Sequence, residues 1–197
     1  LNTGLFTGNY DSITCIQKTY MEFLVAKFIL DSNLYDNFKN LIFDEYDKVL
    51  PSFVNTICWL ADQNDAIFEE VYSKDPDILL TSIVSFSSEE KNIKMLKKFY
   101  ELLKSGSGIY GLNSYSYILR KLSISKDVII ETIDEYLKSN DSTYVTISIQ
   151  LLDINNILEF ENYIFNIAIS KVYSFHCRVE ALYFLKKHSS SYFYEIS

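Results

Sequence analysis

The sequence predicts an all-α protein built of short antiparallel helix pairs, and three observations carry that prediction. Glycine and proline are scarce, with Gly4, Gly8, Gly106, Gly108, Gly111, Pro51 and Pro76 the only ones in 197 residues. The intervals between them lack both helix breakers and the turn signals that recur every ~8–12 residues in an all-β chain. Apolar residues return at steps of three and four, the period of a helix with one buried face. The chain is also 48% hydrophobic, enough for a packed core and too much for an intrinsically disordered segment.

Helices are predicted near 12–30, 33–48, 51–62, 64–72, 76–85, 88–104, 111–122, 125–138, 142–152, 156–170 and 174–188. The first follows the stripe Ile13, Ile16, Tyr20, Phe23 and Leu24. Pro51 and Pro76 suit first turns, where a missing N–H leaves no helical bond unmade. Asp75 before Pro76 reads as an N-cap, and Asp77 places negative charge at the positive end of the helix dipole. Ser87 with Glu90 offers a capping box, while Ser125 and Ser174 are further caps. In 88–104 the stripe is Ile93, Leu96, Phe99, Tyr100 and Leu103; in 125–138 it is Ile129, Ile133, Tyr136 and Leu137. The segment 142–152 is the exposed point of the scheme, because Thr-Tyr-Val-Thr-Ile-Ser-Ile favours a strand by propensity.

The C-terminal half reads as three pairs, 88–104 with 111–122, 125–138 with 142–152, and 156–170 with 174–188. The last apolar anchors of the second helices, Leu122, Leu152 and Leu185, lie 30 and 33 residues apart. In that register Ser148 aligns with Ala181 and Ile149 with Leu182. The stretch Cys177-Arg178-Val179-Glu180-Ala181-Leu182-Tyr183-Phe184-Leu185-Lys186-Lys187 resembles the second helix of a HEAT-type repeat, with a basic residue, Ala-Leu, and a further Leu and Lys. The resemblance implies a short right-handed α-solenoid over 88–188, and a scaffold that binds protein more often than nucleic acid. The first helices lack the Pro and Asp often found at the intra-repeat turn, and residues 1–86 show no repeat register. An irregular helical bundle is the alternative architecture. Either way, residues 1–197 are expected to form one all-helical domain, with acidic N-terminal helices at 12–86 and the helix pairs at 88–188.

Charge is unevenly placed. The chain has 18 Lys plus Arg against 26 Asp plus Glu, net -8. From Asp31 to Asp77 there are 11 acids against only Lys39, Lys48 and Lys74, so this stretch holds the whole excess. Such a chain is a poor binder of nucleic acid, which requires clustered Lys and Arg. Lys91, Lys94, Lys97 and Lys98 do cluster, but Glu89, Glu90 and Glu101 offset them. Concentrated negative potential instead speeds encounter with a basic partner. The expected partner-binding residues are therefore Asp44, Glu45, Asp47, Asp62, Asp65, Glu69 and Glu70, with Trp59 and Tyr72 as aromatic anchors. The competing reading of the same acids is a solvated face that aids solubility.

Other chemistry finds little footing. Gly106-Ser107-Gly108-Ile109-Tyr110-Gly111 matches G-x-G-x-x-G, but a helix precedes it where a dinucleotide site needs a strand, so an inter-helix loop is expected. The adjacent pair His176-Cys177 cannot point both side chains at one ion from one helix face, so no metal and no cofactor are expected. Three cysteines without close spacing, Cys15, Cys58 and Cys177, suggest reduced thiols, not a disulfide framework. The best apolar run, Phe23 to Leu30, is interrupted by Lys27 and falls short of the roughly 18 residues of a membrane span. Neither a membrane contact nor a signal peptide is expected within these residues, which open at Leu1 and not Met, and the cytoplasm is the expected compartment. The resulting expectation is a non-catalytic module that binds a basic protein, in one version an immunity or antitoxin-type inhibitor. The alternative is an enzyme whose site is assembled from dispersed acids and tyrosines, which requires a deep pocket with pKa-shifted groups.

Overall fold

A computed structural model describes residues 6–9, 12–15, 17–105, 112–188 and 190–196. The loop containing Gly106–Gly111 lies outside them. Helices dominate, and the chain divides into two compact units, Leu1–Ser87 and Ser88–Ser197.

The first unit opens with a departure from the helical prediction. Strands β1 (Phe6–Asn9) and β2 (Ser12–Cys15) pair antiparallel, with Gly8 opposite Ile13. The predicted helix at 12–30 therefore loses its first residues to a hairpin, and α1 runs from Lys18 to Asp31. Ser-Ile-Thr-Cys is β-prone, and pairing partners supplied by β1 settle the choice. Then come α2 (Tyr35–Ile42), a 3₁₀ turn at Pro51–Phe53, α3 (Val54–Gln63), α4 (Asp65–Lys74) and α5 (Pro76–Thr81). Helix α3 is the hub, packing on α1, α4 and α5. Ala26, Ile57, Leu60, Phe68, Val71 and Leu80 are buried in this core, and Phe68 meets Phe86 edge to face at 5.5 Å.

Two end signals are used differently from the sequence expectation. Asp75 holds the N-cap position of α5, but its carboxylate is spent on Val49 and Lys48 and caps nothing. The predicted helix at 33–48 stops at Ile42, because Asp44 accepts hydrogen bonds from the N–H groups of Tyr46 and Lys48, both at 2.8 Å. An Asp that binds local amides in this way competes with the helical ladder.

The second unit contains α6 (Glu89–Lys104), α7 (Leu112–Lys121), α8 (Lys126–Leu137), α9 (Ser142–Ile154), α10 (Glu161–Ile169), α11 (Phe175–Lys187) and the short α12 (Phe193–Ile196). The strand-prone segment 143–152 is helical. Asp141 caps α9 by accepting from the Thr143 N–H at 2.8 Å, and seven residues of that helix are buried. Ser88, not Ser87, caps α6, because Ser87 donates its N–H and hydroxyl to Asp62. Ser125 precedes α8 without a side-chain cap, and its N–H donates to Glu89 at 2.6 Å. Ser174 does cap α11. Helix α10 starts five residues later than predicted, after a turn in which Asn156 takes a left-handed φ of 51°.

Helix α9 packs on α7, α8 and α11, and α11 packs on α10. Of the aligned positions of the sequence register, Leu122, Leu152, Leu185, Ser148, Ala181 and Ile149 are buried, whereas Leu182 is half-buried. Tyr100 stacks on Tyr136 with centroids 3.8 Å apart and planes 2° apart, Tyr144 closes the cluster edge-on, and the Tyr100 hydroxyl meets Ser148 Oγ at 2.9 Å.

Candidate functional site

An acidic tip on the first unit gathers three of the sequence-predicted site residues, Asp44, Glu45 and Asp47, all exposed. Between α2 and the 3₁₀ turn the chain doubles back. Leu50 N–H donates to the Ile42 carbonyl at 2.8 Å, Phe43 bridges Val49, and Asp44 N–H donates to the Lys48 carbonyl at 2.8 Å. Asp44, Glu45, Tyr46 and Asp47 form the turn. Asp47 adopts the left-handed φ of 58°, which Asp tolerates better than most residues. The turn is braced from behind. Asp75, buried, accepts from Val49 N–H at 3.0 Å and from Lys48 Nζ at 3.1 Å, while Lys74 Nζ pairs with Asp47 at 2.8 Å and lies 4.5 Å over the Phe43 ring. Glu45 and Tyr46 are thereby presented outward, Tyr46 with 75% of its surface exposed.

Lys74 links this tip to Glu70 on α4, which also receives Lys39 Nζ at 2.5 Å and the Tyr35 hydroxyl at 3.1 Å. Partial burial alone would raise the Glu70 carboxyl. The hydrogen bonds from Lys39, Lys74 and Tyr35 outweigh it and hold the group below its ordinary range. Burial first, and then the Glu70 charge, push the Tyr35 hydroxyl well above its usual value. Hydrogen bonding to Asp47 and Glu70 likewise raises Lys74, against the opposing effect of desolvation. Beside this network lies an open cleft of about 470 Å³ whose lining includes Ile29, Asn33, Asp36, Gln63, Ile67 and Glu70.

The remaining predicted residues scatter. Asp65 and Glu69 are exposed on α4. Asp62 is taken up by Ser87, at 2.7 Å to its N–H and 2.9 Å to its hydroxyl. Trp59 is half-buried edge-on to Phe23 at 5.2 Å, and Tyr72 stacks on Phe68 at 5.8 Å, so both predicted anchors pack against their own unit. Three bases of the acidic stretch, Lys39, Lys48 and Lys74, all pair with its acids, a use that a charge count does not reveal. Tyr46 was legible only as one tyrosine among many, and what distinguishes it is exposure.

Among the described residues no three His, Cys, Asp or Glu side chains are placed to hold a metal ion, and no helix is long and apolar enough to cross a membrane. Cys58 and Cys177 are free thiols, both buried. Chemically, the tip can accept hydrogen bonds and attract cations while offering one aromatic ring. Its proton-bearing neighbours, Glu70 and Tyr35, are displaced away from neutrality in opposite directions, unlike groups tuned to exchange protons near pH 7. Comparison with protein-family models, with curated proteins and with solved structures finds no match for the chain.

Proposed function

We propose that the chain is a non-catalytic protein-interaction module whose first unit docks a basic partner protein through the Asp44–Asp47 tip. The observation that carries this reading is Tyr46, held outward on a braced turn among acids. Interface hot spots favour Tyr, and a side chain already fixed in place loses less entropy on binding. The excess negative charge of residues 31–77 speeds encounter with a basic partner, most strongly at low salt. The stacking of α9 on both α7 and α11 supports a short α-solenoid as the architecture of the second unit. An acidic binder of this size suits the masking of a basic protein's active surface, the mode of an immunity or antitoxin protein.

The test is affinity capture from the native source with the wild-type chain and with the Glu45→Lys/Tyr46→Ala variant, followed by association kinetics with the purified partner. The variant should lose the partner that the wild type retains, and its association rate should fall and depend less on salt. Equal capture by both forms refutes the tip as the docking site. Glu70 is a poor choice for charge reversal, since Lys39, Lys74 and Tyr35 all depend on it and the fold would change with the charge.

A further inference from the structure

The α10–α11 turn of the second unit presents apolar side chains that the fold leaves outside. Ile169 closes α10 and is 52% exposed; Val172 in the turn is 71% exposed, and Phe175 opening α11 is 76% exposed. The inward positions of the same hairpin are already filled by Ile164, Ile167, Ala168, Cys177 and Ala181, all buried. The turn is also fixed in shape. Ser174 N–H donates to Ser142 Oγ on α9 at 2.9 Å, Ser174 Oγ accepts from Cys177 N–H at 3.2 Å, and Ser170 Oγ accepts from Val172 N–H at 3.3 Å. These three side chains therefore have no inward site to occupy and no slack backbone with which to reach one.

The charge around them runs against that of the chain as a whole. No Asp or Glu occurs from Asn162 to Val179, whereas Lys171, His176 and Arg178 do. Lys171 is exposed, and the Arg178 guanidinium lies 6.0 Å from the Phe175 ring. Asp141, next to the Ser142 that holds the turn, accepts from Thr143 N–H in capping α9. Glu180, further along α11, is half-buried.

We infer that this turn is a peripheral docking tip for an anionic lipid surface, with Ile169, Val172 and Phe175 entering the headgroup boundary and Lys171 and Arg178 meeting lipid phosphates. Side chains about three-quarters exposed stand on a crest, whereas a groove that receives a peptide partly covers the residues lining it. An apolar crest flanked by exposed Lys171 and half-buried Arg178 matches a bilayer interface, where apolar insertion and attraction to acidic headgroups add together. No membrane-spanning segment is required. The net charge of the chain opposes approach only weakly at physiological salt, where charges beyond about 8 Å are screened.

Co-sedimentation of the full chain with vesicles of phosphatidylcholine alone, or of phosphatidylcholine mixed with phosphatidylserine, tests this. Binding is expected to the mixed vesicles only. The Val172→Asp/Phe175→Asp variant should bind about tenfold less, and Lys171→Glu about threefold less, with far-ultraviolet circular dichroism unchanged in both. Failure to bind mixed vesicles, equal binding to both compositions, or indifference to the substitutions would each overturn the proposal. So would light scattering that shows the double variant dissolving a homodimer, which would assign the turn to contact between copies.

Discussion

Glu70 illustrates how one carboxylate can organise a surface. It collects an ammonium from α2, another from its own helix and a phenol, so removing its charge leaves Lys39 and the Tyr35 hydroxyl to find new partners while Lys74 keeps Asp47. A carboxyl held below its ordinary value of 4.5 stabilises the fold at pH above that value. The contribution fades as the pH falls through the lowered one. Glu70→Gln should accordingly lower stability at neutral pH and flatten the acid limb of a stability-versus-pH curve measured by urea unfolding. A second residue-scale expectation concerns Tyr100. Burial pushes its hydroxyl well above the usual range, and the hydroxyl meets Ser148 Oγ in the core at 2.9 Å. Tyr100→Phe should cost about 1 kcal/mol, the low end for a buried hydroxyl, because Ser148 keeps its hydrogen bond to the Tyr144 carbonyl. Thermal unfolding of the two proteins side by side measures the difference.

At the scale of elements, boundaries are decided by small polar side chains. Asn64 accepts from Ile67 N–H at 3.1 Å and starts α4 after α3 has ended one residue earlier. Asn64→Ala should destabilise by about 1 kcal/mol, read from the denaturation midpoint. Asp44 does the reverse, ending a helix that periodicity would have continued to residue 48. Asp44→Ala removes both amide contacts of the tip, and the expected result is faster protease cleavage within 43–49 together with weaker partner capture. Unchanged cleavage would show that Lys74 and Asp75 suffice to brace the turn. The Ser174 cap was legible because it follows the local rule. Ser87 and Asp75 were not, since each obeys the rule in sequence and is claimed in space by a distant residue, Asp62 in one case and Val49 with Lys48 in the other.

For the molecule as a whole, the apolar anchors of the second unit carry the packing. Leu122, Leu152 and Leu185 are buried, and the small residues Ser148 and Ala181 have no exposed surface. Leu152→Ala should lower stability by about 2–5 kcal/mol, measured by chemical denaturation, whereas the same change at exposed Leu158 should cost far less. The candidate site was half visible from sequence. The acidic stretch located the tip, but the count of acids could not separate Glu45, which faces solvent, from Glu70 and Asp75, which bind lysines of the same unit. The aromatic anchors raise the same difficulty. Trp59 and Tyr72 are half-buried against Phe23 and Phe68, whereas Tyr46 is exposed.

Helicity, the approximate run of most helices and the concentration of negative charge followed from the amino-acid order alone. Those properties depend on residue type and on spacings of three and four, which are local. The N-terminal hairpin, the doubled-back tip, the partners of Asp62, Asp75 and Glu70, and the identity of the exposed apolar side chains were decided only by tertiary structure. Apart from the hairpin, whose strands lie two residues apart, each depends on which distant group best satisfies a donor, an acceptor or an apolar surface, and that competition is settled in three dimensions.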